Sequence, residues 1–171
     1  NTDYLIYPIG NLNTFENENS IKSAPIEASI GNEAYNVANT MENEITGNLL
    51  NLKFQKMDAD TLISLTKKPM LIQSVSYLAT TAQKSRQQIL VYLLADTDTN
   101  EDGKLDSNDI KSLYLSNISG DNFTKISANF QEVIDWKMMD SNNKLYYRNV
   151  EDNNKNGKKK KKDLLHYYYV N

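Results

Sequence analysis

Ten short apolar runs, each rich in Tyr, Leu, Ile or Val and bounded by Asn, Asp, Gly or Ser, govern what this chain can fold into. They are Tyr4–Ile9, Leu49–Met57, Thr61–Leu65, Met70–Ala79, Ile89–Ala95, Ile110–Ser116, Phe123–Ile126, Val133–Met139, Leu145–Val150 and Leu164–Val170. Runs of that length and composition read as strands. Short turns such as Asp58-Ala59-Asp60, Gly120-Asp121-Asn122 and Asp140-Ser141-Asn142-Asn143 join neighbours, which makes the pairing antiparallel. No segment carries a helix period over three turns. Only Asp109–Ile118 reads both ways, because Ile110, Leu113 and Tyr114 would also line one helix face. The expectation is an all-β chain.

Two of the connections between these runs share a pattern. Asp98-Thr99-Asn100-Glu101-Asp102-Gly103-Lys104-Leu105-Asp106-Ser107-Asn108-Asp109 places oxygen ligands at loop positions one, three and five, Gly at six, and a carboxylate at twelve. Asp152-Asn153-Asn154-Lys155-Asn156-Gly157, continuing through Lys158–Lys162 to Asp163, does the same 54 positions later. This is the EF-hand loop pattern with Asp in place of the usual final Glu. Asp, Asn and Gly also build ordinary turns, but two loops in the same register point to Ca2+.

The expected ligands in the first loop are Asp98, Asn100, Asp102, the carbonyl of Lys104, Asp109, and Asp106 either directly or through water. In the second they are Asp152, Asn154, Asn156, the carbonyl of Lys158, and Asp163. Charge count tunes such sites. Loop one has four carboxylates, whereas loop two has only Asp152 and Asp163 and puts Lys160 at position nine. Loop two is therefore the weaker site, or an empty turn.

At 171 residues the chain forms a single domain, 1–171, with enough length for a core. Three units are expected, at 4–66, 70–127 and 131–170. Residues 10–47, rich in Asn and Glu, read as an irregular insertion with two short strands at Ile21–Ile26 and Glu33–Val37. The formal net charge is −3, with no basic face spread along the chain. The lysine run at 158–162 sits inside a turn motif flanked by acids, so it reads as a solvated loop tip and nucleic acid is not an expected partner.

With no cysteine, disulfides, cysteine-ligated zinc and a cysteine nucleophile are all excluded. No apolar stretch reaches membrane-spanning length. The chain opens at Asn1-Thr2-Asp3 without Met, as a chain with its leader removed would. Weak calcium loops work where calcium is millimolar, which favours an extracytoplasmic place: periplasm, outer-membrane lipoprotein or secreted protein.

The flanks of the loops repeat as well. Leu145-Tyr146-Tyr147 aligns with Val91-Tyr92-Leu93, and Tyr167-Tyr168-Tyr169 aligns with Leu113-Tyr114-Leu115. The stretch Leu90–Leu105, continuing to Ser112-Leu113-Tyr114-Leu115, resembles blades of TolB-like β-propellers that carry EF-hand-like loops. Leu145–Asp163 with Tyr167–Val170 is similar, and Gly120–Ile126 resembles the turn and outer strand that close such a blade. The resemblance covers the chain from Met70 onward, with a fainter echo at Asn48–Thr66. It implies four-stranded, blade-like repeats, about three of them, too few for a closed propeller. Three outcomes stay open: a homodimer completing a six-bladed ring, an open or sandwich-like sheet assembly, or a piece of a longer protein.

Catalytic chemistry is sparse. His166, the sole histidine, lies in an apparent strand and reads as structural. No Gly-rich phosphate loop is present, and Trp136, Met138 and Met139 read as core. The resulting expectation is a non-enzymatic calcium-binding β-protein of the bacterial envelope or exterior, presenting a surface to a protein or glycan. Two alternatives are a dockerin-like scaffold-binding module, which shares duplicated loops with Asp at position twelve, and a hydrolase with structural calcium.

Overall fold

A computed structural model of the chain describes residues 2–10, 43–152 and 164–171. Within them the regular structure is mostly antiparallel β, with 53% of residues in strands and 6% in helix. The strands are β1 (Tyr4–Ile9), β2 (Glu44–Leu49), β3 (Asn51–Lys56), β4 (Leu62–Ser64), β5 (Leu71–Tyr77), β6 (Ile89–Ala95), β7 (Ser112–Asn117), β8 (Thr124–Lys125), β9 (Gln131–Met139), β10 (Lys144–Glu151) and β11 (Leu164–Val170), with a short helix α1 (Ala79–Ser85) between β5 and β6. They form three sheets, ordered β1-β3-β4, β2-β5-β6-β7-β8 and β11-β10-β9, and none closes on itself as a barrel. The ambiguous stretch at Asp109–Ile118 is strand from Ser112 onward.

The three sheets stack as layers. β6, Ile-Leu-Val-Tyr-Leu-Leu-Ala, is apolar at every position because both of its faces are covered. Leu90, Tyr92 and Leu94 pack with Leu52 and Phe54 of β3, Ile72 and Val75 of β5, and Leu49. Val91 and Leu113 face the other way, onto Val133, Leu145 and Tyr147 of the β9–β11 sheet. A buried aliphatic or aromatic side chain contributes about 1.5–3 kcal/mol, so these two interlayer cores hold the stack together. Polar ties add to them: Tyr147 donates its hydroxyl to the Ile126 carbonyl at 2.8 Å, and the Val133 amide donates to the Lys111 carbonyl at 3.0 Å.

Gly120 seals one of these joints. Its φ is +84°, and an added Cβ would lie 2.6 Å from the Phe54 ring, so the turn after β7 rests directly on β3.

Three features differ from the sequence expectation. β2 takes Glu44–Gly47 from the stretch expected to be irregular and Leu49 from the run Leu49–Met57 expected as one strand, and it pairs with β5 rather than with the first unit's strands, so the central sheet draws on both sides of residues 66–70. α1 is a two-turn helix closed by Arg86 at φ 60°, its amide bonded to the Ala82 carbonyl; two turns are too few to print a period in sequence. The hairpins β6–β7 and β10–β11 also differ in register. The repeat alignment would set Leu145 opposite Tyr169, but Leu145 stands opposite Val170, whereas Val91 stands opposite Leu115. The expected strands at Ile21–Ile26 and Glu33–Val37 lie outside the described residues.

Candidate metal centre

Loop one connects β6 to β7. Every side chain chosen by spacing lies in it, and each of the carboxyl and amide groups of Asp98, Asn100, Asp102, Asp106 and Asp109 accepts a bond from a loop amide. Asp98 accepts from the amides of Gly103 at 2.8 Å and Asp102 at 3.3 Å. Asn100 accepts from Asp102 at 3.0 Å, Asp102 from Lys104 at 2.9 Å, and Asp106 from Asn108 at 2.8 Å. These are Asx turns, in which a short side chain accepts from the backbone two residues on. Gly103, at φ +81° with open space around its α-carbon, lets the chain reverse between positions five and seven.

Asp109 closes the loop. It is 1% exposed. One carboxylate oxygen accepts from the Thr99 amide at 2.7 Å and the Thr99 hydroxyl at 3.1 Å; the other accepts from the Asp106 amide at 2.9 Å. The Thr99 hydroxyl is also within bonding distance of the Ile110 amide, at 2.9 Å. Position twelve is thereby tied to positions two and nine. A buried carboxylate holding this many donors is an anchor, because removing it strands several polar groups.

Asp96, two residues ahead of the loop, is a hub that sequence reasoning missed. Its carboxylate accepts from the Tyr114 hydroxyl at 2.6 Å, the Lys125 ammonium at 2.9 Å and the Ser112 hydroxyl at 3.3 Å. Burial alone would raise its pKa. The Tyr114 and Lys125 contacts, with Ser112, outweigh burial and hold Asp96 below the ordinary carboxylate range. Burial, and after it the bond to Asp96, pushes the Tyr114 hydroxyl upward. Asp96 thus fastens the exit of β6 to β7 and β8. Its only trace in sequence is a carboxylate at the end of an apolar strand, and its partners lie 16 or more residues away.

The chemistry of this donor set suits a hard divalent cation: oxygens only, alternating, with four carboxylates. An ionised carboxylate offers about four lone-pair sites, so the bonds already accepted, three of them at Asp109, leave each carboxylate at least one site for ligation. Among the described residues, however, no three His, Cys, Asp or Glu side chains converge into a ready-made metal cluster. The loop is folded on its own amides, and ligation would need the carboxylates to turn inward together with Asn100 and the Lys104 carbonyl.

Of the second loop, only Asp152 falls within the described residues. It is 7% exposed, and its amide donates to the Phe130 carbonyl at 2.8 Å. Asn154, Asn156, Lys158 and Asp163 lie outside the described residues. The hairpin around them is described up to its last rung, Glu151 opposite Leu164, which directly adjoins Asp152 on one strand and Asp163 on the other. His166 sits on β11 with its Nε2 2.8 Å from a Glu151 carboxylate oxygen, and its ring lies 6.0 Å from that of Tyr168. It pins the two strands beside the loop.

No family model, no curated protein and no solved structure matches the chain. The residues themselves therefore carry the functional reading.

Proposed function

We propose that the chain is a non-enzymatic, calcium-binding β-protein of the bacterial envelope or exterior, in which calcium stabilises inter-strand loops and an exposed sheet surface meets a protein or glycan. The observation that carries this reading is loop one: five side chains at positions one, three, five, nine and twelve, each already bent back over the loop by a bond to its backbone. These bonds hold the loop backbone turned, and a cation would draw the side chains inward from them, since they do not converge on their own. The ion acts structurally, bridging the ends of β6 and β7. A helix-swinging sensor role does not apply, because the loop leads into strand β7. The same strand separates loop one from a dockerin-like unit, whose loops lead into helices. TolB-like blades remain the family pattern that the β6–loop–β7 unit resembles.

Among the described residues no helix is long and apolar enough to cross a membrane. The periplasmic, lipoprotein or secreted placement rests on the calcium supply that a modest loop needs.

The test is thermal unfolding in millimolar calcium against chelator. A site held at one hundred times its dissociation constant stabilises by about 2.7 kcal/mol, so the midpoint should fall by several degrees in chelator while the β circular dichroism signal persists below it. Identical midpoints would remove the calcium reading.

A further inference from the structure

The outer face of the β9–β11 sheet presents tyrosines and cations in alternation. Tyr146, Tyr167 and Tyr169 are 38%, 71% and 55% exposed. Each has a cation beside it: Lys137 stands opposite Tyr146, Arg148 stands opposite Tyr167, and the Lys144 ammonium lies 3.9 Å over the Tyr169 ring. Between the rows runs a shallow groove of about 370 Å³, bounded by Lys137, Tyr146, Arg148, Tyr167 and Asp135. Asp135 is the one carboxylate lining it, and the Arg148 guanidinium holds it in a two-point pair. The groove is therefore net positive on a chain whose formal net charge is −3.

We propose that this face binds an acidic polysaccharide, with uronic-acid units lying along the groove. The positive surplus calls for an anion. The exposed Tyr167 ring offers an apolar platform to the C–H face of a sugar ring, Lys137 and Lys144 meet carboxylates, and the paired Asp135 carboxylate keeps oxygen lone pairs for sugar hydroxyls. A single-stranded nucleic acid fits less well. Successive bases need successive open aromatic faces, and Tyr167 offers one, whereas Lys144 covers one face of Tyr169 and Tyr146 packs at 5.8 Å from that same ring. The inference rests on the proposed surface-binding role for its class of partner, and it is independent of calcium.

The experiment is calorimetric titration with a galacturonic-acid oligosaccharide and with its carboxyl-reduced neutral counterpart, in calcium and in chelator, for the full chain and for Tyr167→Ala and Lys137→Glu. The acidic oligosaccharide should bind in both buffers, at least about tenfold tighter than the neutral one. Each variant should lose about tenfold with its melting midpoint unchanged, and binding should weaken as salt shortens the screening length from about 8 Å toward 3 Å. Equal affinity for the neutral oligosaccharide would overturn the proposal. So would tighter binding of an oligothymidylate, or no binding by folded protein; a concentration-dependent dimer that Tyr167→Ala abolishes would instead assign the face to a second copy. None of these outcomes bears on the calcium midpoint shift, so the two readings fail separately.

Discussion

The hairpins β6–β7 and β10–β11 carry the same loop pattern but fasten it by different means. In the first, the ladder stops at Leu94 opposite Ser112, well short of the loop, and side chains take over: Asp96 with Tyr114 and Lys125, then Asp109 with Thr99 and Asp106. In the second, backbone rungs run to Glu151 opposite Leu164 at the threshold of the loop, and the Glu151–His166 contact sits beside them. The surroundings differ too. β6 is covered on both faces, whereas β11 exposes Leu165, Tyr167 and Tyr169. The same sequence pattern is therefore flanked differently: side-chain bonds hold the β6–β7 connection, whereas backbone rungs run to the last described residues of β10 and β11.

The contrast in burial should give the largest effect. Leu94→Ala at the end of β6, fully buried in the core shared with β3 and β5, should cost about 2–5 kcal/mol in urea unfolding. Leu165→Ala in β11, 45% exposed, should stay within about 0.5 kcal/mol. Comparable losses would mean that both hairpins are equally buried and the layered account is wrong.

Two glycines sharpen the comparison between loop and stack. Gly103→Ala meets only the left-handed φ and should cost about 1–2 kcal/mol. Gly120→Ala meets that strain and the Phe54 ring as well, adding about 1–3 kcal/mol of overpacking. Equal values would say that Phe54 swings away freely.

A smaller signature is alkaline. Burial pushes the Tyr92 hydroxyl upward, against its bond to Ser116 at 2.6 Å. A raised value in the fold means that its contribution is complete below about pH 10, where an unfolded tyrosine titrates, and is lost as pH climbs toward the folded value. Tyr92→Phe should cost about 1 kcal/mol at neutral pH and flatten the loss of stability above pH 10. A wild-type curve that is flat through pH 11 would contradict the burial of β6.

How much of this was legible in sequence depends on the range of the forces involved. Strands such as β1, β6 and β11 print themselves because their composition alone favours extended pairing. β2, Glu-Ile-Thr-Gly-Asn-Leu, did not stand out: half of it is polar, and its partner β5 begins more than twenty residues later. The six proposed ligand positions of loop one rest on spacing alone, and the structure adds that their Asp and Asn side chains bond to the loop backbone. Asp96 and its hydroxyl and ammonium partners were invisible, because that contact forms only once β7 and β8 fold beside β6. Register was the subtlest loss. The repeat aligned residue for residue, yet a one-residue slip separates the two hairpins, and such a slip exchanges the faces on which paired side chains sit. Leu145 shares its rung with Val170 toward the core, and Tyr167 and Tyr169 turn to the open face.

The most direct test of the central claim is calorimetric titration of calcium into the wild-type chain, Asp98→Ala and Asp152→Ala. Asp98 is preferred to the buried Asp109, whose loss would unpin Thr99 and Asp106 whether or not calcium binds. The tighter calcium-binding event should disappear in Asp98→Ala and survive in Asp152→Ala, in keeping with the four carboxylates of loop one. An isotherm without heat in the wild type, or one unchanged by Asp98→Ala, would contradict that claim.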